Sequence, residues 1–286
     1  MIRSRCARAA AAAAFLLAAS LGLAGGSPAT AGQLTVKGSD TMVILAQAWA
    51  ERFMQLHPGH QVAVTGGGSG TGIAALINGT TDLANCSREM KKSEIDKCKD
   101  RGFVPVPHTV ALDGISIAVH ASNPVRSLSL DQLYGIYTGK ITDWAQVGGK
   151  PGKIIVLSRE SNSGTYVYFR DFVLKRQNYR PDALLMPSTN TIQQEISKNP
   201  NAIGYGGRAY FEGKPNVKVI PVSAKTGGPA IEPTDENVRN KKYPIARPLF
   251  IYSKGAPSGL AKQFIDFAKS PEGQSLVNKV GYVSLK

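Results

Sequence analysis

Three times in this chain a short apolar run ends in glycine and small hydroxyl residues and gives way at once to a helical pattern. The stretches are Gly38-Ser39-Asp40-Thr41, Gly66-Gly67-Gly68-Ser69-Gly70-Thr71-Gly72 and Arg159-Glu160-Ser161-Asn162-Ser163-Gly164-Thr165. Strands that alternate with helices pack as a parallel sheet with helices laid over it, so the pattern selects an α/β fold. It also sets the unpaired N–H groups of helix starts, at the positive end of the helix dipole, beside glycines that let an anion come close. Serine and threonine cap ordinary helices as well, so one such loop carries little. Three of them point to one oxyanion held from several sides.

The periodicity extends the alternation along the chain. Leu34–Lys37 reads as a strand, and Leu45, Trp49, Phe53 and Leu56 mark one face of a helix over 41–56, with Ser39 or Asp40 as its cap. Strands follow at Gln61–Thr65 and Thr81–Cys86, with helices after the glycine-rich loop and after Ser93. Gly114–His120 is a strand, Ser129-Leu130-Asp131-Gln132 a capping box, and Ile154–Ser158 a strand that runs into the third loop. Later strands are expected at 202–205, 217–222 and 248–253, with helices at 191–198 and after the caps Ser258 and Ser270-Pro271. The glycine- and proline-rich stretch Ser223–Pro233 suits a boundary, and a second crossover falls near Ala111–Gly114. The expected organisation is a first lobe of 32–112 and 224–286 and a second of 113–223, with a cleft beyond the strand ends.

Arg3, Arg5 and Arg8 precede an apolar run from Ala9 to Leu23, and Ala29-Thr30-Ala31 offers small residues for cleavage, the pattern of a secretory signal peptide over 1–31. Cleavage near Ala31 leaves Gly32–Lys286, ample for one large or two modest domains. No cysteine lies at the cleavage site, so no lipid anchor is expected. The formal charge of +14 includes the three leader arginines, which leaves +11 on the mature chain. Its lysines and arginines are scattered without an aromatic-interleaved stripe, which argues against nucleic acid, leaves an acidic surface or a small anionic ligand as partners, and makes most of these charges an ordinary solvated surface. Cys86 and Cys98 form an even pair in an exported chain, and a disulfide between them is expected. The histidines make no metal-ligand spacing, so no metal or other cofactor is implied. His57 and His60 flank a Pro-Gly turn, and Trp49 and Trp144 read as core. Gly-x-Ser-x-Gly is absent, and the glycine-rich loop lacks the lysine of a nucleotide-binding P-loop, so no enzyme signature stands out.

The ordered set of the three loops, Ser87-Arg88, Ala111-Leu112-Asp113-Gly114, Gly139-Lys140-Ile141-Thr142-Asp143-Trp144 and Ile203-Gly204-Tyr205 resembles the periplasmic phosphate-binding proteins of ABC phosphate importers. The resemblance spans the whole mature chain. It implies a two-lobed, type II periplasmic-binding-protein fold, closing as a monomer around one inorganic phosphate and presenting it to inner-membrane ABC permease subunits. By the same resemblance Ser39, Asp40 and Thr41 hold phosphate at the first helix start, Ser69, Gly70 and Thr71 at the second, and Ser163, Gly164 and Thr165 at the third. Arg159, four residues before Ser163, is then expected to fork onto phosphate oxygens. Ser87 and Arg88 complete the set.

One position departs from the best-known members, which carry an aspartate where this chain has Arg88. Phosphate near neutral pH keeps a proton and sulfate does not, so selectivity needs a carboxylate that can only accept. Asp113, at the expected crossover, is the candidate, either facing the anion or paired with Arg88. The alternatives are a binding protein for sulfate, molybdate or tungstate, and less favoured, a phosphatase.

Overall fold

The structure, a computed structural model, describes residues 32–285; the signal sequence, its cleavage near Ala31 and Cys6 lie outside the described residues. The elements in chain order begin with β1 (Gln33–Gly38), α1 (Val43–Leu56), β2 (Gln61–Thr65), α2 (Ser69–Asn78), β3 (Leu83–Cys86), α3 (Lys92–Asp100) and β4 (Pro105–His120). They continue with β5 (Leu128–Ser129), α4 (Leu130–Thr138), β6 (Ile155–Arg159), α5 (Gly164–Phe172), β7 (Leu184–Met186), α6 (Thr189–Lys198) and β8 (Ala202–Gly207). The chain ends with β9 (Val217–Ile220), β10 (Val222–Ser223), β11 (Ala230–Ile231), α7 (Asp235–Arg239), β12 (Ala246–Lys254), α8 (Gly259–Lys269) and α9 (Pro271–Val280).

Eight strands run in the order β2-β1-β3-β12-β4-β8-β6-β7, with β9 added to β4. The pairs β1–β2, β1–β3, β6–β7 and β6–β8 are parallel, as the alternation requires. The centre is not: β12 runs antiparallel to both β3 and β4, and β4 runs antiparallel to β8 and β9. The sheet is therefore mixed rather than parallel. The cause is β4, which is far longer than the expected strand at 114–120. Its first part pairs with β12 as far as Gly114, and from Ile115 onward it pairs with β8. One continuous strand thus serves both halves of the sheet, and β12 brings the returning chain back alongside it.

Apolar cores form on either side of that exchange. Leu34, Val36, Trp49, Phe53, Leu83, Ile251 and Phe264 pack in one; Ile117, Leu133, Tyr137, Val156, Phe169 and Ile203 pack in another. Trp49 and Trp144 are buried as core residues, with indole N–H groups donating to the carbonyls of Gly273 and Asn201. The Ser129 capping box is made in full: Gln132 N–H donates to Ser129 Oγ, and Ser129 N–H to Gln132 Oε1. Ser270 caps α9 through Gly273 N–H, whereas Ser258 makes no side-chain cap on α8. The helix expected after Ser93 begins two residues earlier, at Lys92 with Lys91 as its cap, because the Glu94 carboxylate accepts from the Lys91 N–H at 2.8 Å.

The expected disulfide is not formed. Cys86 and Cys98 are both free and fully buried, packed as small apolar residues among Ile73, Leu76, Met90 and Phe250. Burial pushes the Cys86 thiol well up, which keeps it protonated and inert.

Candidate functional site

The strand-end loops meet where β4 changes partners. At the first, Ser39 N–H donates to Asn85 O, and a single 3-10 turn over Asp40–Met42 leads into α1. Neither Ser39 nor Asp40 caps that helix with its side chain. Ser39 Oγ instead donates to Ser87 Oγ at 2.9 Å, and the Asp40 carboxylate reaches across to Arg159 and Thr189. The turn is held by its carbonyls: Tyr210 donates to Asp40 O, and Tyr282 to Thr41 O.

From Ser39 a run of hydroxyls crosses to the far side of the site. Ser69 Oγ accepts from Ser87 N–H at 3.0 Å and lies 3.3 Å from Ser87 Oγ. Thr41 Oγ1 and Thr165 Oγ1 are 2.7 Å apart. Ser39, Thr41, Ser69, Ser87 and Thr165 are all buried, at 2% exposure or less. The opposing loops can approach this closely because residue 164 is glycine: a Cβ there would stand 2.3 Å from Ser69 Oγ and 2.7 Å from Ser87 Oγ.

Three expected residues do other work. Ser163 Oγ accepts from the Thr165 and Tyr166 N–H groups and caps its own helix, α5. Gly70 N–H donates to Asn162 O, and Thr71 Oγ1 donates to Gly67 O. Asn162 also donates from Nδ2 to Gly67 O, so it latches the third loop to the glycine-rich one. Gly68 makes that latch possible, since at φ +99° with Asn162 O 2.7 Å from a would-be Cβ no side chain fits.

Arg159 is 1% exposed and heavily engaged. Its Nη1 donates to Asp40 Oδ2 and Thr189 Oγ1, Nη2 to Pro187 O and Nε to Met186 O. Of five N–H groups these bonds use four, so the expected two-pronged grip on an anion is taken up by Asp40 and its neighbours. Arg88 differs too, because it meets neither Asp113 nor the hydroxyls. It forks onto both oxygens of Glu94 at 2.8 Å each and donates to Glu89 O. Burial alone would raise the Glu94 carboxyl, but the Arg88 bond and the Lys91 N–H bring it below the usual carboxylate range. A folded-state value below the unfolded one means the contribution is present above the ordinary Glu range and lost as pH falls through the depressed value. Glu94→Gln should therefore cost roughly 1–3 kcal/mol at neutral pH. Urea melts should show that gap closing as the buffer is taken below the ordinary Glu range, and a gap independent of pH would contradict the assignment.

Asp113 finds a partner that the sequence did not announce. In the β4–β12 ladder Arg247 stands directly opposite Asp113. Cross-strand partners point to the same face, and here they form a fully buried ion pair. Arg247 Nε and Nη2 both donate to Asp113 Oδ2, at 3.1 and 2.8 Å, with side-chain exposures of 1% and 0%. The same guanidinium donates to Ser87 O at 2.7 Å and Thr165 Oγ1 at 2.9 Å, and so touches the Ser87 loop and the third helix start at once. Asp113 Oδ1 is buried and has no hydrogen-bond partner among the described residues. Arg247 lay one residue outside the strand expected at 248–253. Starting that strand at Ala246 is the signal that would have placed it in register.

The comparisons with known proteins bear on the family and the fold. A family model described as a PBP superfamily domain matches residues 24–272. The phosphate-binding protein PstS of Pseudomonas aeruginosa is 32% identical, over 89% of this chain and 83% of that protein. The PstS of Bacillus subtilis is 34% identical, over 90% and 82%. Among solved structures, a putative phosphate ABC transporter substrate-binding protein from Clostridium perfringens, determined with bound phosphate, superposes with a TM-score of 0.80 at 32% identity, covering 89% of this chain and all of that one. An ABC-type phosphate transport receptor from Vibrio cholerae gives 0.70 at 32% identity, over 88% and 99%.

Proposed function

The chain belongs to the PstS phosphate-binding protein family of the PBP superfamily, and we propose that it binds inorganic phosphate between two lobes and delivers it to an ABC transporter. The observation that carries the choice of anion is Asp113 Oδ1, a buried carboxylate oxygen without a donor beside a cluster of hydroxyls. Ser39, Thr41, Ser69, Ser87 and Thr165 donate to phosphate oxygens, with backbone N–H groups from the starts of the first 3-10 turn and of α5. Entry of the anion parts the Thr41–Thr165 contact. Arg159 adds its charge and its remaining Nη2 hydrogen from within the pair with Asp40. The P–O–H of phosphate donates to Asp113 Oδ1, whereas sulfate, with no proton to offer, meets a buried negative charge.

The lobes are 32–112 with 224–286, and 113–223, and the change of β4 partner between Gly114 and Ile115 supports a hinge there. Export by the leader, cleavage near Ala31, a monomeric periplasmic protein without a lipid anchor and docking on an inner-membrane permease complete the reading. The family relation favours binding without turnover over a phosphatase. Isothermal calorimetry should give one phosphate per chain and comparable binding of arsenate, which shares phosphate's shape and retained proton. Sulfate, molybdate and tungstate should give no heat at the same concentrations. Sulfate bound as tightly as phosphate would sink the reading.

A further inference from the structure

We infer that Arg247 is the positioning residue that makes Asp113 an acceptor and so sets the discrimination between phosphate and sulfate; this rests on the reading of Asp113 just given. The inference starts from how the pair divides the two carboxylate oxygens. Both guanidinium bonds fall on Oδ2, while Oδ1 is left with none. A carboxylate gripped in this way can neither rotate nor share its free oxygen with the arginine. Its acceptor is therefore aimed before phosphate arrives, and the cost of ordering it is already met.

Charge is the second part. A carboxylate with a fully buried side chain is costly unless a cation compensates it, and without one it neutralises by taking a proton. A protonated Asp113 would be a donor. It would then meet the bare oxygens of sulfate and of phosphate alike, and the preference for phosphate would be lost. Arg247 is the cation in contact with it. The phenols of Tyr168, Tyr210, Tyr243 and Tyr282 also feel Asp113, and all are raised by burial and so neutral across the working range. None of them can replace the guanidinium.

The remaining bonds of Arg247 tie this acceptor to the rest of the site. Ser87 O and Thr165 Oγ1 fix the guanidinium from the β3 loop and from the start of α5, and the face of the Tyr168 ring lies 5.5 Å away. Asp113 is thus aimed by a side chain that itself depends on both halves being docked.

The test is calorimetry or competition binding with phosphate and sulfate on Arg247→Gln, from about pH 6 to about pH 9, with circular dichroism to verify folding. Phosphate Kd should rise on the order of a hundredfold. The phosphate-to-sulfate ratio should collapse relative to that of the parent protein measured at the same pH, because a buried Asp113 without its cation takes up a proton and is no longer a pure acceptor. Equal weakening of both anions at every pH would show a merely structural arginine and overturn the inference. Should Arg247→Gln fail to fold, the double variant Asp113→Ala/Arg247→Gln is compared with Asp113→Ala, in which no side-chain oxygen is left at position 113 for Arg247 to aim. A residue that acts through Asp113 leaves the ratio of the two variants the same. A further change in ratio overturns the inference. A parent-like ratio in Asp113→Ala alone would fell the reading of Asp113 itself, a failure distinct from an intact Asp113 effect with an inert Arg247.

Discussion

Asparagine at position 113 should weaken phosphate binding on the order of a hundredfold while leaving sulfate binding unchanged or tighter, the equivalent of losing one hydrogen bond to a charged group. The direction follows from Arg247. An asparagine side chain offers one acceptor and one donor end, and the guanidinium, which only donates, needs the oxygen at the position of Oδ2. The amide NH2 is then forced to the position of Oδ1. A donor replaces an acceptor at the place proposed to meet the P–O–H of phosphate, with little change in shape. Arsenate should follow phosphate, because it keeps its proton over the same range. Competition of sulfate against labelled phosphate checks the prediction, and an unchanged preference would remove Asp113 from the site.

What the sequence disclosed and what it withheld differ by the range of the interaction. The capping box at Ser129, the burial of Trp49 and Trp144 and the three strand-loop-helix joints depend on residues a few positions apart, so local pattern reveals them. The first part of β4 was hidden because Pro105, Pro107 and His108 break the alternation of a half-buried strand. Only the ladder with β12 makes it one. Arg247 was hidden for the same reason, since its role is a matter of register between strands whose sequence positions differ by 134. The pairing of Asp113 with Arg88, the alternative to Asp113 facing the anion, failed on a nearer competitor. Glu94, in the first turn of α3, offers Arg88 both carboxylate oxygens. Asp40 shows the limit of local capping rules: a residue well suited to cap α1 is drawn off by a cation and a helix start from the other half of the sheet.

That same contact makes Arg159→Met the substitution expected to cost most stability. Removing one partner of a buried pair leaves the other charge uncompensated, and the loss is about 3–5 kcal/mol. For a chain of this size the melting temperature should fall by roughly 10 °C. Four acceptors lose a donor together: Asp40 Oδ2, Thr189 Oγ1, Pro187 O and Met186 O. The first loop and the start of α6 are then joined only through Thr189, whose N–H and hydroxyl both reach Asp40. Adding Asp40→Asn removes the stranded charge and should return part of the lost stability, a non-additivity that thermal melts of the four proteins measure directly. Affinity separates two roles that stability alone would merge. If Arg159 only fastens Asp40, the double variant regains phosphate binding along with its fold. With the remaining Nη2 hydrogen on phosphate, as proposed, stability returns while phosphate affinity stays low, because neither asparagine nor methionine supplies the lost charge. Full recovery of binding in the double variant would reduce Arg159 to a cross-link and leave the anion to the hydroxyls, the helix starts and Asp113.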